Sequence, residues 1–249
     1  SCFFHAQFTE YRKYFDDTGG FYSPFSIPVF RLDKDMHLDI GAFTLEAGIT
    51  IPNLPEVVVG YERQFKEGEK SLLEWGSVTE GGVTKKIFPA YEEIDDRVDI
   101  FKVDVDYSIG KVRLEDRFRY EQYTTDTNRF EEERNLDTGA SETVNVSEEY
   151  DHDSLYNTFL LNSHISETIY LSLGYMLNSL DGNASFNMLT SPFGPDPFDK
   201  NWHTNSVKLD QESHVLNLNA KFGPYSQLTI HGGIQGEITD TTGNTDAIL

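Results

Sequence analysis

"VDIFKVDVDYSIGKVRLEDRFRYEQY", residues 98–123, alternates apolar and polar side chains from Phe101, breaks at Ile109-Gly110-Lys111, and resumes. Phe101, Val103, Val105 and Tyr107 fall on one side of the first half, opposite Lys102, Asp104, Asp106 and Ser108. Beyond the break, Val112, Leu114, Phe118 and Tyr120 share a side, opposed by Arg113, Glu115, Arg117, Arg119 and Glu121. A period of two is the mark of a strand with unlike faces, and a glycine between two such runs marks a hairpin. One face is greasy over two long strands while the other is packed with charge of both signs. The outer face of a sandwich strand seldom carries so dense a ladder.

The pattern recurs in pairs. Phe43, Leu45, Ala47 and Ile49 are followed, across a proline-bearing stretch at 51–56, by Val57, Val59, Tyr61 and Phe65. Leu155, Phe159 and Leu161 precede Ile169, Leu171, Leu173, Tyr175 and Leu177; Leu216, Leu218, Ala220 and Phe222 precede Leu228, Ile230 and Ile234. Long polar stretches at 66–97, 124–153 and 178–211 separate the pairs and read as loops, and residues 1–36, with Gly19-Gly20, Pro24 and Pro28, have the same character. Structureless connections of this length are uncommon in compact soluble domains. Outer-membrane barrels have that asymmetry, short turns at one end and long loops at the other. In lipid every backbone amide must be paired within the protein, so a closed sheet is the β solution. The sequence therefore predicts an all-β fold: an antiparallel up-and-down transmembrane β-barrel, or part of one. A loop-like segment, 1–36, would precede a barrel segment, 37–249, of about eight strands in four hairpins.

This assigns the faces. Predicted to face lipid are Phe43, Leu45, Val57, Val59, Phe101, Val103, Val105, Tyr107, Val112, Leu114, Phe118, Tyr120, Leu171, Leu173, Tyr175, Leu216, Leu218, Leu228 and Ile230. Predicted to line the lumen are Lys102, Asp104, Asp106, Arg113, Glu115, Arg117, Arg119 and Glu121, with acids of one strand beside bases of the next. Asp116 and Arg63 fall in the apolar phase; a bulge is one way to re-aim Asp116, and Arg63 sits near the loop end, where snorkelling is cheap. Tyr61, Tyr107, Phe118, Tyr120 and Tyr175 are candidates for an interfacial aromatic girdle.

Other classes find little support. Acids outnumber bases 42 to 20, a net charge of −22 that argues against binding a nucleic-acid backbone. Cys2 is the only cysteine, which leaves no internal disulfide and no CxxC. No apolar run is long enough for a transmembrane helix, and no signal peptide is visible, so the chain reads as a mature or truncated piece. No GxSxG, HExxH, P-loop or GxGxxG occurs, so no catalytic, cofactor or metal residue is expected. His152 and His164 read as loop or turn residues, and Asp181 and Asn183, like Asp240, Asn244 and Asp246, as solvated acidic turns. Two alternatives stand beside a conduit. One is a soluble sandwich binding carbohydrate through aromatics around Phe193, Phe198 and Trp202; the other is a glycosidase using Glu92 and Asp95.

Residues 57–105, above all "GYERQFKEGEKS" and "KIFPAYEEIDDRVD", resemble the barrel components of bacterial porin–cytochrome complexes, the MtrB/PioB type. The resemblance covers about a fifth of the chain and implies an outer-membrane location and a barrel of many strands. It implies a multihaem c-type cytochrome as the partner inside, electron transfer across the membrane, and no haem on the barrel itself. Some members carry an N-terminal cysteine pair where Cys2 stands alone here; with the ending "DAIL" and the strand count, this implies a portion of such a barrel. A general diffusion porin is the other reading within the class.

Overall fold

The computed structural model describes residues 1–15, 34–135, 137–191 and 201–248. They form one antiparallel sheet in strict chain order: β1 (Cys2–Tyr14), β2 (His37–Ile49), β3 (Glu56–Glu80), β4 (Val83–Ile109), β5 (Val112–Asn135), β6 (Ala140–His164), β7 (Ile169–Ser191), β8 (Trp202–Tyr225) and β9 (Leu228–Ile248). The sheet is up-and-down and not closed; β1 and β9 are its edges. No second layer packs on it among the described residues, as every residue contact between elements runs between strands of this sheet.

Two sequence expectations are corrected. Cys2–Tyr14 is a strand, not loop, so there are nine strands and not eight. "CFFHAQF" hides it because Phe3 and Phe4 put aromatics on both faces. The three long "loops" are mostly strand as well: β3 runs to Glu80 and β4 starts at Val83, β5 runs to Asn135 and β6 starts at Ala140, and β7 and β8 cover most of 178–211. Their alternation escapes notice because the apolar phase changes face part-way along strands such as β4 and β8, as described below. Gly19-Gly20, Pro24, Pro28, Phe193 and Phe198 lie outside the described residues.

The expected short turns stand. Ile109 pairs with Val112 across Gly110-Lys111, and Tyr225 with Leu228 across Ser226-Gln227. Two-residue turns that match strand twist need positive φ, which glycine adopts without penalty. Gly110 has φ 60° and nothing near the place a Cβ would take, so its cost of substitution is purely conformational. We expect Gly110→Val to lower unfolding free energy by about 1–2 kcal/mol, and Gly110→Asn, which tolerates this region, to cost a fraction of that. Urea titration of the refolded chain in detergent measures both.

Candidate functional site

The register places side chains on two faces without ambiguity, because directly opposed residues point the same way. One hydrogen-bonded row reads Leu45, Tyr61, Phe101, Tyr120, Leu155. The next reads Ala47, Val59, Val103, Phe118, and the one after it Ile49, Val57, Val105, Asp116, Phe159, Tyr175, Leu216. Tyr107, Leu114, Leu161, Leu173, Leu218 and Ile234 follow. Every residue expected to face lipid lies on this belt face. It is open: Phe101, Val59, Leu216, Leu218, Leu228 and Ile230 are all exposed.

Phe43, Tyr61, Phe101 and Tyr120 form a continuous aromatic run at the belt's upper edge, with ring centroids 6.4, 5.0 and 6.5 Å apart. Tyr61 donates its hydroxyl to Asp99 at 2.5 Å, and Arg63 reaches the same carboxylate at 2.7 Å through Nε. Arg63 is thus neutralised where the belt ends. Phe118 and Tyr175 sit within the belt instead, Tyr175 sharing a hydrogen bond of 2.8 Å with His214 Nδ1. No bulge re-aims Asp116. It stays on the belt face, where Asn157 Nδ2 donates to it at 2.9 Å.

The opposite, lattice face gathers all the residues expected to line a lumen. Lys102 opposes Arg119, Asp104 opposes Arg117, and Asp106 opposes Glu115. Two of those three pairs are like-charged, which alone is destabilising. The ion pairs run diagonally and along strands to compensate. Arg117 Nη2 meets Asp106 at 2.7 Å and lies 3.7 Å from Glu115, with Asp104 3.7 Å from its Nε. Arg113 binds Glu115 at 2.9 Å, Arg119 binds Glu121 at 2.6 Å, and Lys102 reaches back to Glu62 on β3 at 2.8 Å. Glu62 was not singled out from the sequence. Its signal is its place in phase with Lys102 across two strands, visible only once the register is known.

Beyond the belt the faces exchange character. Leu38, Ile40 and Ala42 of β2, Ile94, Val98 and Ile100 of β4, and Val146 of β6 lie on the lattice face. Leu38, Ile94, Ile100 and Val146 are buried there, at 6 % exposure or less. Tyr123, Tyr150 and His152 cluster with ring centroids 5.1 to 5.8 Å apart. His152 is therefore a strand residue of the lattice face, 3.8 Å from Glu121, and His164 ends β6 against Tyr170; neither is in a turn. Ser154 Oγ, His152 Nδ1 and Asn178 Oδ1 are buried on this face with no hydrogen-bond partner among the described residues.

The remaining candidates come apart. Glu92 and Asp95 lie on opposite faces of β4, Glu92 paired with Lys70, so they do not form a carboxylate pair across one substrate. Asp181 and Asn183 belong to β7 and Asp240, Asn244 and Asp246 to β9, not to turns. Among the described residues no group of His, Cys, Asp or Glu is arranged to hold a metal ion. No protein-family model matches this chain, and no curated protein matches it.

Arg117 is the lattice's hub, and replacing it by Gln leaves Asp104, Asp106 and Glu115 repelling one another. We expect Arg117→Gln to cost about 0.5–1 kcal/mol at low ionic strength and much less in about 0.5 M salt. Adding Asp106→Asn recovers part of that loss. Urea midpoints at the two salt concentrations give both results.

Proposed function

We propose that this chain is wall of an outer-membrane β-barrel, a conduit or scaffold without enzymatic activity that encloses a charged lumen. The observation that carries the reading is the apolar belt through Phe101, Val103, Leu171 and Leu218, of which Phe101 and Leu218 are exposed and Val103 and Leu171 half-buried. Among the described residues it continues across all nine strands with no protein layer over it, and behind it on β3 to β5 lies a salt-bridged lattice. Hydrocarbon suits the first face and a polar lumen the second. On β4 the belt spans Phe101 to Ile109, about 24 Å for moderately tilted strands, against the roughly 25 Å of an outer-membrane apolar band.

Within this class we favour a sheath around a protein, specifically a multihaem c-type cytochrome carrying electrons across the outer membrane, over a general diffusion porin. A water-filled channel is served by a polar wall throughout, whereas here the lattice face turns apolar beyond the belt, at Ile40, Ala42, Val98 and Ile100. The likeness of residues 57–105 to porin–cytochrome barrel components supports the choice of a cytochrome. A soluble sandwich requires a second layer, and none packs on this sheet among the described residues.

The experiment is detergent extraction of the protein with its native flanking sequence from a bacterial membrane, followed by haem staining of what co-purifies. A haem-staining band at constant stoichiometry is the expected result. Ion conductance in planar bilayers by the protein alone, with no haem protein retained, replaces the sheath by a porin. Recovery in the soluble fraction without detergent ends the membrane reading altogether.

A further inference from the structure

β2, β4 and β8 change, part-way along, which face carries their apolar side chains. β2 passes from Leu38, Ile40 and Ala42 on the lattice face to Phe43, Leu45 and Ala47 on the belt face. β4 passes from Ile94, Val98 and Ile100 to Phe101, Val103 and Val105, and β8 from Val207 and Leu209 to Leu216 and Leu218. On the belt face beyond the switch stand Asp95 and Asp99 of β4, Asp126 of β5, Asp151 and Asp153 of β6 and Asp210 of β8. A sheet bathed throughout by one solvent needs no such exchange. A wall half in hydrocarbon and half in water does, because its outer surface must be apolar in the first medium and polar in the second.

The switch also runs obliquely to the hydrogen-bonded rows. The row beginning Phe8 and Phe43 is apolar on β1 and β2, yet continues as Arg63, Asp99, Gln122, Asp153, Asp181 and Asp210. At the other margin, the row Ile169, Phe222, Ile230 is apolar on β7 to β9, while its counterpart between β2 and β3 falls in the turn. The belt thus descends by about six residues over seven strand steps, so strands cross its plane at roughly 30° from its normal. Strands in closed membrane barrels are inclined by a similar amount. An apolar patch that merely covered one end of the sheet would follow the rows instead.

We propose that a lipid bilayer surface cuts this wall along that oblique line, just beyond Phe43, Tyr61, Phe101, Leu155, Leu177 and Leu216. The short-turn end lies level with one leaflet. From the line to the Gly81-Gly82 turn the wall stands free of the membrane, with carboxylates such as Asp95, Asp99 and Asp153 outside, and apolar groups together with the ion pairs Lys66–Asp96 and Lys70–Glu92 within. On β4, Val83 to Asp99 gives that free part a height of roughly 50 Å. The inference rests on the outer-membrane reading and adds to it where, and at what angle, the membrane meets the protein.

The test is a single-cysteine scan in the full chain with Cys2→Ser, each site labelled with an environment-sensitive fluorophore and refolded into phosphatidylcholine vesicles carrying brominated acyl chains. Phe101→Cys, Val103→Cys and Val105→Cys are expected to lose about half their fluorescence to the bromines, with Asp95→Cys unaffected, since only the first three lie in the apolar band. The row supplies the sharper comparison: Phe43→Cys is quenched, while Gln122→Cys and Asp210→Cys, in the same row, are not. Equal quenching along that row overturns the oblique boundary, and quenching at Asp95 overturns the free-standing wall; both leave the membrane reading intact. Absence of quenching at every position, Phe101 included, overturns the membrane reading itself.

Discussion

A sheet with no second layer among its described residues hides few apolar side chains, here chiefly Leu38, Ile94, Ile100 and Val146. Its stability rests on unbroken backbone pairing between neighbours, and each face must suit whatever medium touches it. All else here follows from those two demands. Pairing runs from β1 to β9 with slips at only three strand pairs among the described residues. Faces are assigned by parity alone, and a single residue's slip would carry Phe101, Val103 and Val105 to the lattice side and set Lys102 and Asp104 in the belt. Register is therefore strongly specified wherever the two faces differ most, around the Gly110 hairpin.

That hairpin also shows how a charged face is held together without a core. Direct opposition would set Lys102 against Arg119 and Asp106 against Glu115. The lattice resolves this by displacing its contacts: Lys102 turns to Glu62, Arg119 to Glu121, and Arg117 sits among three carboxylates. Each pair is partly solvated and so contributes little alone. Their joint effect is to remove like-charge repulsion that the register would otherwise impose, and this permits one wall to carry both signs densely.

The belt and its backing were legible in the sequence because period-two alternation with a wide polarity contrast survives any neighbour. Strand ends, β1 and the exchange of faces were not. In β4 the apolar phase moves from even-numbered Ile94, Val98 and Ile100 to odd-numbered Phe101 and Val103, and residues 66–97 read in the belt's phase look polar and unpatterned. Glu62 was missed for a related reason. Its role depends on a partner 40 residues away whose register no local pattern fixes.

Direction sets the remaining constraint. Nine strands in strict antiparallel order leave β1 and β9 running the same way. The belt reaches both edges, with Phe4 and Phe8 on one and Ile230, Ile234 and Ile238 on the other, all exposed. Among the described residues the backbone groups facing outward from those edges have no partner, a state that the hydrocarbon of the proposed setting would not tolerate. The sheet can meet itself only through a parallel seam, whereas completion by antiparallel pairing alone takes an odd number of strands and gives an even total. For the closed barrel proposed above, the alternation that decides which side of the wall is greasy also decides what kind of strand would finish it: one that enters opposite to both edges, with its apolar side chains in phase with Phe4 and Ile234.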